Sequence, residues 1–131
     1  MKLEIDFDKM QGLAPAIVQD SASGEVLMLG FMNREAWQRT FSSGYVTFFS
    51  RTRSQLWTKG ETSGNLLKLV NASTDCDQDT ILLQVEVEGA GVVCHEGTRS
   101  CFNKPLHGRV QEAAKRQVAE QEKRSTPAVR S

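Results

Sequence analysis

Apolar positions along the chain follow strand periodicity more often than helix periodicity. Ala16–Gln19 and Glu25–Met32 are apolar-rich runs on either side of Ser21-Ala22-Ser23-Gly24, a hairpin signal. Val26–Phe31 is almost wholly apolar, which predicts a strand buried on both faces. Asn33 is placed to cap a helix running to about Ser42, with Glu35 in its first turn where the helix dipole favours an acid. Met32 and Trp37 occupy the two positions of a hydrophobic staple. Gly44 closes this helix, and Tyr45–Ser50 starts another strand. Asn65–Asn71 and Thr80–Glu88 predict two more. In the second, Ile81, Leu83, Val85 and Val87 fall on one side, and Gln84, Glu86 and Glu88 on the other. Gly89-Ala90-Gly91 then turns the chain toward Val92-Val93-Cys94. The sum is an α+β domain of mostly antiparallel strands with one short internal helix.

Near the end the pattern changes. Val110–Lys123 is rich in helix-forming residues, with a thin apolar stripe of Val110, Ala113, Ala114 and Val118. Residues 109–131 hold six basic and three acidic side chains against ten and thirteen in residues 1–108. The chain therefore divides into a body, 1–108, and a charged C-terminal helix and tail, 109–131, to which no function is assigned. Length adds one constraint: 131 residues make one domain. Charge adds another. Sixteen basic and sixteen acidic groups cancel, which argues against a protein that coats nucleic acid or an anionic membrane. No run of about 18 apolar residues suggests a membrane span. Met1–Lys9 carries three acids and no apolar core of a secretory signal. With three cysteines, an odd number, this predicts a reducing, cytoplasmic location.

Three segments could carry chemistry. In Asp75-Cys76-Asp77-Gln78-Asp79 the acids recur at every second position. On an extended backbone they would project together, with Cys76 pointing away, and three converging carboxylates suit a hard cation such as Mg²⁺. The alternative is a solvated acidic turn before a strand. The Ca²⁺ loop of EF-hands is incomplete here, lacking the glycine at its sixth position.

Cys94-His95-Glu96-Gly97-Thr98-Arg99-Ser100-Cys101 is the second segment. Its cysteine spacing does not match structural zinc modules. Cys76, Cys94 and Cys101 together with one water would nonetheless satisfy the four-coordinate rule of a catalytic zinc site. The alternative is two core cysteines and one at the surface. An imidazole can give and take a proton, so His95 could shuttle one from metal-bound water, although a lone histidine is more often structural.

The third segment, Ser50 to Asn65, gathers Arg51, Arg53 and Lys59 with several hydroxyls, Trp57, Gly60 and Gly64. Arginine forks match phosphate oxygens, lysine adds a point charge, glycines allow close approach, and Trp57 could stack on a base or pack in the core. A polar connection is the alternative. A non-enzymatic protein, a small zinc-stabilised module binding RNA through this loop, also fits the residue types. The missing C-x₂-C pairs, neutral charge and few aromatics weigh against it.

The motifs Gly12-Leu13-x-Pro15-Ala16-Ile17-Val18-Gln19-Asp20, Gly24–Asn33, Thr47–Arg51, Leu56-Trp57-x-Lys59-Gly60-Glu61-x-Ser63-Gly64, Asp75-Cys76-Asp77-x-Asp79, Cys94-His95 and Ser100-Cys101-Phe102 jointly resemble the phosphoribosyl-AMP cyclohydrolase family. The resemblance spans Gly12 to Phe102. It implies hydrolytic opening of the adenine ring of N1-(5-phosphoribosyl)-AMP at the N1–C6 bond, the third step of histidine biosynthesis. It also implies an intertwined homodimer whose zinc is shared by Cys76 of one subunit and Cys94 and Cys101 of the other. Asp75, Asp77 and Asp79 match the family's Mg²⁺ site. His95 is then the first choice of base, ahead of Glu96 and Glu61. Arg51, Arg53, Trp57, Lys59, Glu61, Ser63 and Gly64 are the expected substrate-binding residues. Some relatives carry a second, pyrophosphohydrolase domain, and the short stretch after Phe102 is not expected to encode it.

Overall fold

A computed structural model describes residues 4–106 and 119–123. After a 3₁₀ turn at Phe7–Met10, the chain forms β1 (Ala14–Asp20), β2 (Val26–Met32), α1 (Arg34–Ser43), β3 (Thr47–Ser50), β4 (Gln55–Thr58), β5 (Leu67–Thr74) and β6 (Ile81–Val87). Four strands make one sheet in the order β2-β1-β6-β5, and β3 pairs with β4 in a separate hairpin. The β1–β2 and β5–β6 pairs are antiparallel, as the α+β expectation requires, while β1 and β6 run parallel. Pro15, which has no N–H to give, sits just before the parallel ladder begins at Ala16↔Ile81.

The local signals act as their chemistry dictates. The Asp20 carboxylate accepts from the Ser23 and Ala22 N–H groups at 2.7 and 3.2 Å, which stabilises the turn between β1 and β2. Asn33 Oδ1 accepts from the Ala36 N–H at 2.8 Å, and Gly44, with φ of 82°, ends α1 by donating to the Thr40 carbonyl. Ile81, Leu83 and Val85 are buried together with Val18, Leu27, Met32 and Leu67. Gly30 is required where β2 crosses β3, because a Cβ there would lie 2.6 Å from the Phe48 ring.

Several boundaries and one strand differ from expectation. β4 falls inside the segment read as a polar loop. Two apolar residues, Leu56 and Trp57, suffice because Phe49 and Phe48 pair with them across the hairpin. β5 begins later than Asn65 and ends later than Asn71, its register shifted by an irregularity between Leu69 and Asn71. β2 is not buried on both faces. Val26 and Leu29 are 42% and 45% exposed, since nothing among the described residues packs over them. Most of the expected C-terminal helix, and the boundary at residue 108, lie outside the described residues. Residues 119–123 are helical and exposed. No helix among the described residues is long and apolar enough to cross a membrane.

Candidate active site

The two metal-type motifs sit at opposite ends of β6. The acidic turn joins β5 to the start of β6, and the cysteine loop follows the strand's end. Seven extended residues at about 3.3 Å each separate the two motifs by roughly 20 Å. Cys76 is exposed and does not join Cys94 and Cys101 in a three-ligand cluster within one chain. Among the described residues, Asp75, Asp77 and Asp79 do form such a group, with ligand oxygens all within 4.8 Å of one another.

These acids converge through a different geometry from the extended one expected. Residues 75–79 form a tight turn in which Asp75 Oδ1 accepts from the Asp79 and Thr80 N–H groups, each at 3.1 Å. Gln78 adopts the left-handed conformation, φ 64°. Desolvation opposes ionisation of Asp75, but those backbone donors and the hydrogen bonds of the Asp77 and Asp79 side chains together hold its carboxyl below the usual range. Asp79 is pushed up by desolvation, by its hydrogen bond with Asp77 and by the neighbouring negative charges. Lys9 supplies some countercharge. Its Nζ donates to the Asp77 carbonyl at 2.6 Å and lies 3.8 and 3.9 Å from the Asp77 and Asp79 carboxylates. An all-oxygen cluster with a surplus of negative charge fits a hard divalent cation.

The Cys94–Cys101 loop closes on itself through Cys94 N–H to the Thr98 carbonyl and Val93 N–H to the Arg99 carbonyl, at 3.0 and 3.1 Å. Cys94 is buried, and its sulfur accepts from the Glu96 N–H at 3.5 Å and the Asn103 side-chain amide at 3.8 Å. The Glu96 N–H, the Thr98 hydroxyl and a hydrogen bond from Cys101 hold the Cys94 thiol below its usual range, against burial and the Glu96 charge. Cys101 moves the other way. Desolvation of its sulfur and the charge and hydrogen bond of Cys94 raise it, while the Lys59 ammonium draws it partly back. Two facing sulfurs, one biased toward thiolate and supplied with N–H donors, fit a soft or borderline ion such as Zn²⁺. His95 is exposed next to Cys94. Glu96 is paired with Lys104 at 3.1 Å.

The β3–β4 hairpin shapes a cavity of about 480 Å³ that includes Arg53, Trp57 and Glu61, with the hydroxyls of Ser50, Thr52 and Thr58. Arg51 is turned away over the Phe31 ring, 4.0 Å from its centroid. Lys59 Nζ is 5.9 Å from the Trp57 ring, and its charge acts on Cys101. Ser63 and Gly64 lie in the exposed turn after Gly60 and do not line the cavity. Gly60 is needed there because a Cβ would collide with the Asn65 backbone.

Sequence reasoning missed Lys9, Asp20, Arg99 and Asn103. Asp20 before Ser21-Ala22-Ser23-Gly24 carries the signal of an Asx turn, but its partner Arg99 is remote in sequence. Asn103 carried no such cue.

The family model described as phosphoribosyl-AMP cyclohydrolase matches residues 28–103. The phosphoribosyl-AMP cyclohydrolase of Desulfatibacillum aliphaticivorans is 56% identical over 106 residues, covering 81% of this chain and 84% of the relative. The histidine biosynthesis bifunctional protein HisIE of Bacteroides thetaiotaomicron is 58% identical over 100 residues, 76% of this chain and 48% of that protein. Its counterpart in Escherichia coli strain K12 is 57% identical over 104 residues, 79% of this chain and 50% of the relative. The chain thus spans about half the length of these bifunctional relatives.

Proposed function

The chain belongs to the phosphoribosyl-AMP cyclohydrolase family of histidine biosynthesis, and we propose that it opens the purine of phosphoribosyl-AMP at the site where the hairpin cavity meets the cysteine loop. The observation that supports this reading is the position of Lys59, whose ammonium lies 5.9 Å from the ring of Trp57 in the cavity wall and whose charge acts on Cys101. In the reaction, water adds to C6, the C6–N1 bond breaks, C6 is left as a carboxamide carbon, and N1 takes up a proton. The step is the third of the pathway and takes place in the cytoplasm.

Cys94 and Cys101, with Cys76 from a second copy of the chain, would hold Zn²⁺ in a homodimer. The separation imposed by β6 supports the sharing, because one chain cannot bring all three sulfurs together. Zinc, when bound, supplies a Lewis acid that lowers the pKa of water toward neutrality. His95, exposed beside Cys94, takes and returns the proton. Arg53 and Lys59 counter the substrate's phosphates, Trp57 offers a face for the base, and Glu61 meets ribose hydroxyls. Asp75, Asp77 and Asp79 would hold Mg²⁺. Arg51, Ser63 and Gly64, expected from the sequence to meet the substrate, lie outside the cavity lining and take no role in this reading.

The test is direct. Protein replete with zinc and magnesium is mixed with phosphoribosyl-AMP, and ring opening is followed by its ultraviolet change. Turnover that disappears on chelation and returns with zinc is expected. Absence of ring opening in the metal-replete protein would overturn the reading.

A further inference from the structure

Arg99 lies inside the cysteine loop, two residues before Cys101, and all three of its guanidinium nitrogens are engaged outside the Cys94–Cys101 segment. Nη2 donates to Asp20 Oδ1 at 2.8 Å, Nε to Glu25 Oε1 at 3.1 Å, and Nη1 to the Gly91 carbonyl at 3.0 Å. Asp20 is itself buried, and its other oxygen is already taken by the turn N–H groups of Ala22 and Ser23. The anchor is thus a rigid one. The next two residues continue the seam. Ser100 Oγ donates to the Val26 carbonyl at 2.8 Å, and the Cys101 N–H donates to the Leu27 carbonyl at 2.7 Å. The loop that carries both sulfurs is therefore fastened along one side to the β1–β2 hairpin, at Asp20, Glu25, Val26 and Leu27.

We propose that Arg99 is a positioning residue for metal capture: its three-way grip on Asp20, Glu25 and Gly91 sets where Cys101 stands relative to Cys94, and so sets how tightly the sulfur pair holds zinc. The inference rests on the zinc reading above. Arg99 acts through the backbone of the loop rather than on the ion. A planar fork spreads its donors over three nitrogens in fixed directions and so reaches three separated acceptors, whereas the three donors of a lysine sit on one atom. Supporting residues that orient metal ligands commonly change affinity by about 10- to 100-fold when removed. Arg99 is 41% exposed at its side chain, and Asp20 keeps its backbone donors without it, so its loss should spare the fold.

The test uses the full chain, stripped of metal and titrated with Zn²⁺ against a chromophoric chelator. In parallel, Co²⁺ serves as a spectroscopic substitute whose thiolate charge-transfer bands report ligand geometry. R99Q should bind Zn²⁺ about 10- to 100-fold more weakly and show altered Co²⁺ bands, while metal-free R99Q melts within a few degrees of the wild type. R99K should fall between the two. R99Q with wild-type Zn²⁺ affinity and an unchanged Co²⁺ spectrum would overturn the role of Arg99 and leave the zinc reading standing. Wild-type protein that takes up neither ion would overturn both. Should R99Q fail to fold, E25A decides: it removes the Glu25 contact only, and a severalfold weaker affinity is expected, against no change if Arg99 does not position the loop.

Discussion

Cys94 and Cys101 shift each other's thiols in opposite directions, Cys94 downward and Cys101 upward. The Glu96 N–H, the Thr98 hydroxyl and the Cys101 thiol draw the Cys94 thiol down, and desolvation together with the charge and hydrogen bond of Cys94 pushes the Cys101 thiol up. In C94S the Cys101 thiol should therefore titrate lower than in the wild type, because its negative neighbour is gone while Lys59 remains. The pH profile of alkylation in metal-free protein, read by mass spectrometry, checks this. In the same variant, metal analysis should find zinc lost together with turnover. A zinc-replete, fully active C94S would remove Cys94 from the ligand set.

His95 is exposed, and the Cys94 sulfur accepts from Glu96 and Asn103 instead, so removal of the imidazole should spare metal binding. H95A is expected to retain zinc and lose at least about 100-fold in kcat, the lower range for a proton-transfer group. Steady-state kinetics beside metal content separates this from a ligand defect. Unchanged turnover would pass the role to another group.

Lys9 competes with any cation that enters the acidic turn. Its ammonium lies 3.8 and 3.9 Å from two of the three carboxylates. A unit charge at about 4 Å in a watery environment is worth roughly fivefold in binding. K9Q should raise Mg²⁺ affinity by about that factor in calorimetry, and the gain should shrink as salt is added. A weaker affinity in K9Q would mean that Lys9 organises the turn instead of blocking it.

The Asp20 carboxyl is held below its usual value of 3.8 chiefly by the Ser23 N–H, then by the Ser23 hydroxyl; burial opposes this, and Arg99 and the Ala22 N–H add to it. A lowered folded-state value means that ionised Asp20 stabilises the protein above the unfolded value and loses that effect as pH falls through the folded one. D20N should melt below the wild type at neutral pH, with the gap closing only in acid below about 3.8. Melting curves across pH test the sign. A gap that persists unchanged into strong acid would show that the carboxylate's charge is not what matters.

What was legible in the sequence was local. The Ser21–Gly24 turn, the Asn33 and Gly44 caps and the alternation from Ile81 to Val87 each depend on residues a few positions apart, and each holds in the structure. β4 was hidden because Gln55–Thr58 sits among charges and hydroxyls, and its strand character comes from Phe48 and Phe49 across the hairpin. The parallel pairing of β1 with β6 and the contact of Arg99 with Asp20 join distant segments, for which no periodicity gives a sign. Within the site, the types of residue were readable and their grouping was not. Arg53, Trp57 and Glu61 share a cavity, whereas Arg51 stacks on Phe31.

The length of β6 has a genetic consequence. If the third sulfur is borrowed from a sister chain, damage at one end of the strand and damage at the other can be carried by different molecules. Subunits of C76S and C94S, each inert alone, would on mixing and exchange form hybrids in which one pocket inherits both defects and the other inherits neither. Recovery of activity in such a mixture is the behaviour expected of a catalyst whose working unit is divided between two copies, and a mixture that stays inert after the subunits have exchanged would remove Cys76 from the shared pocket.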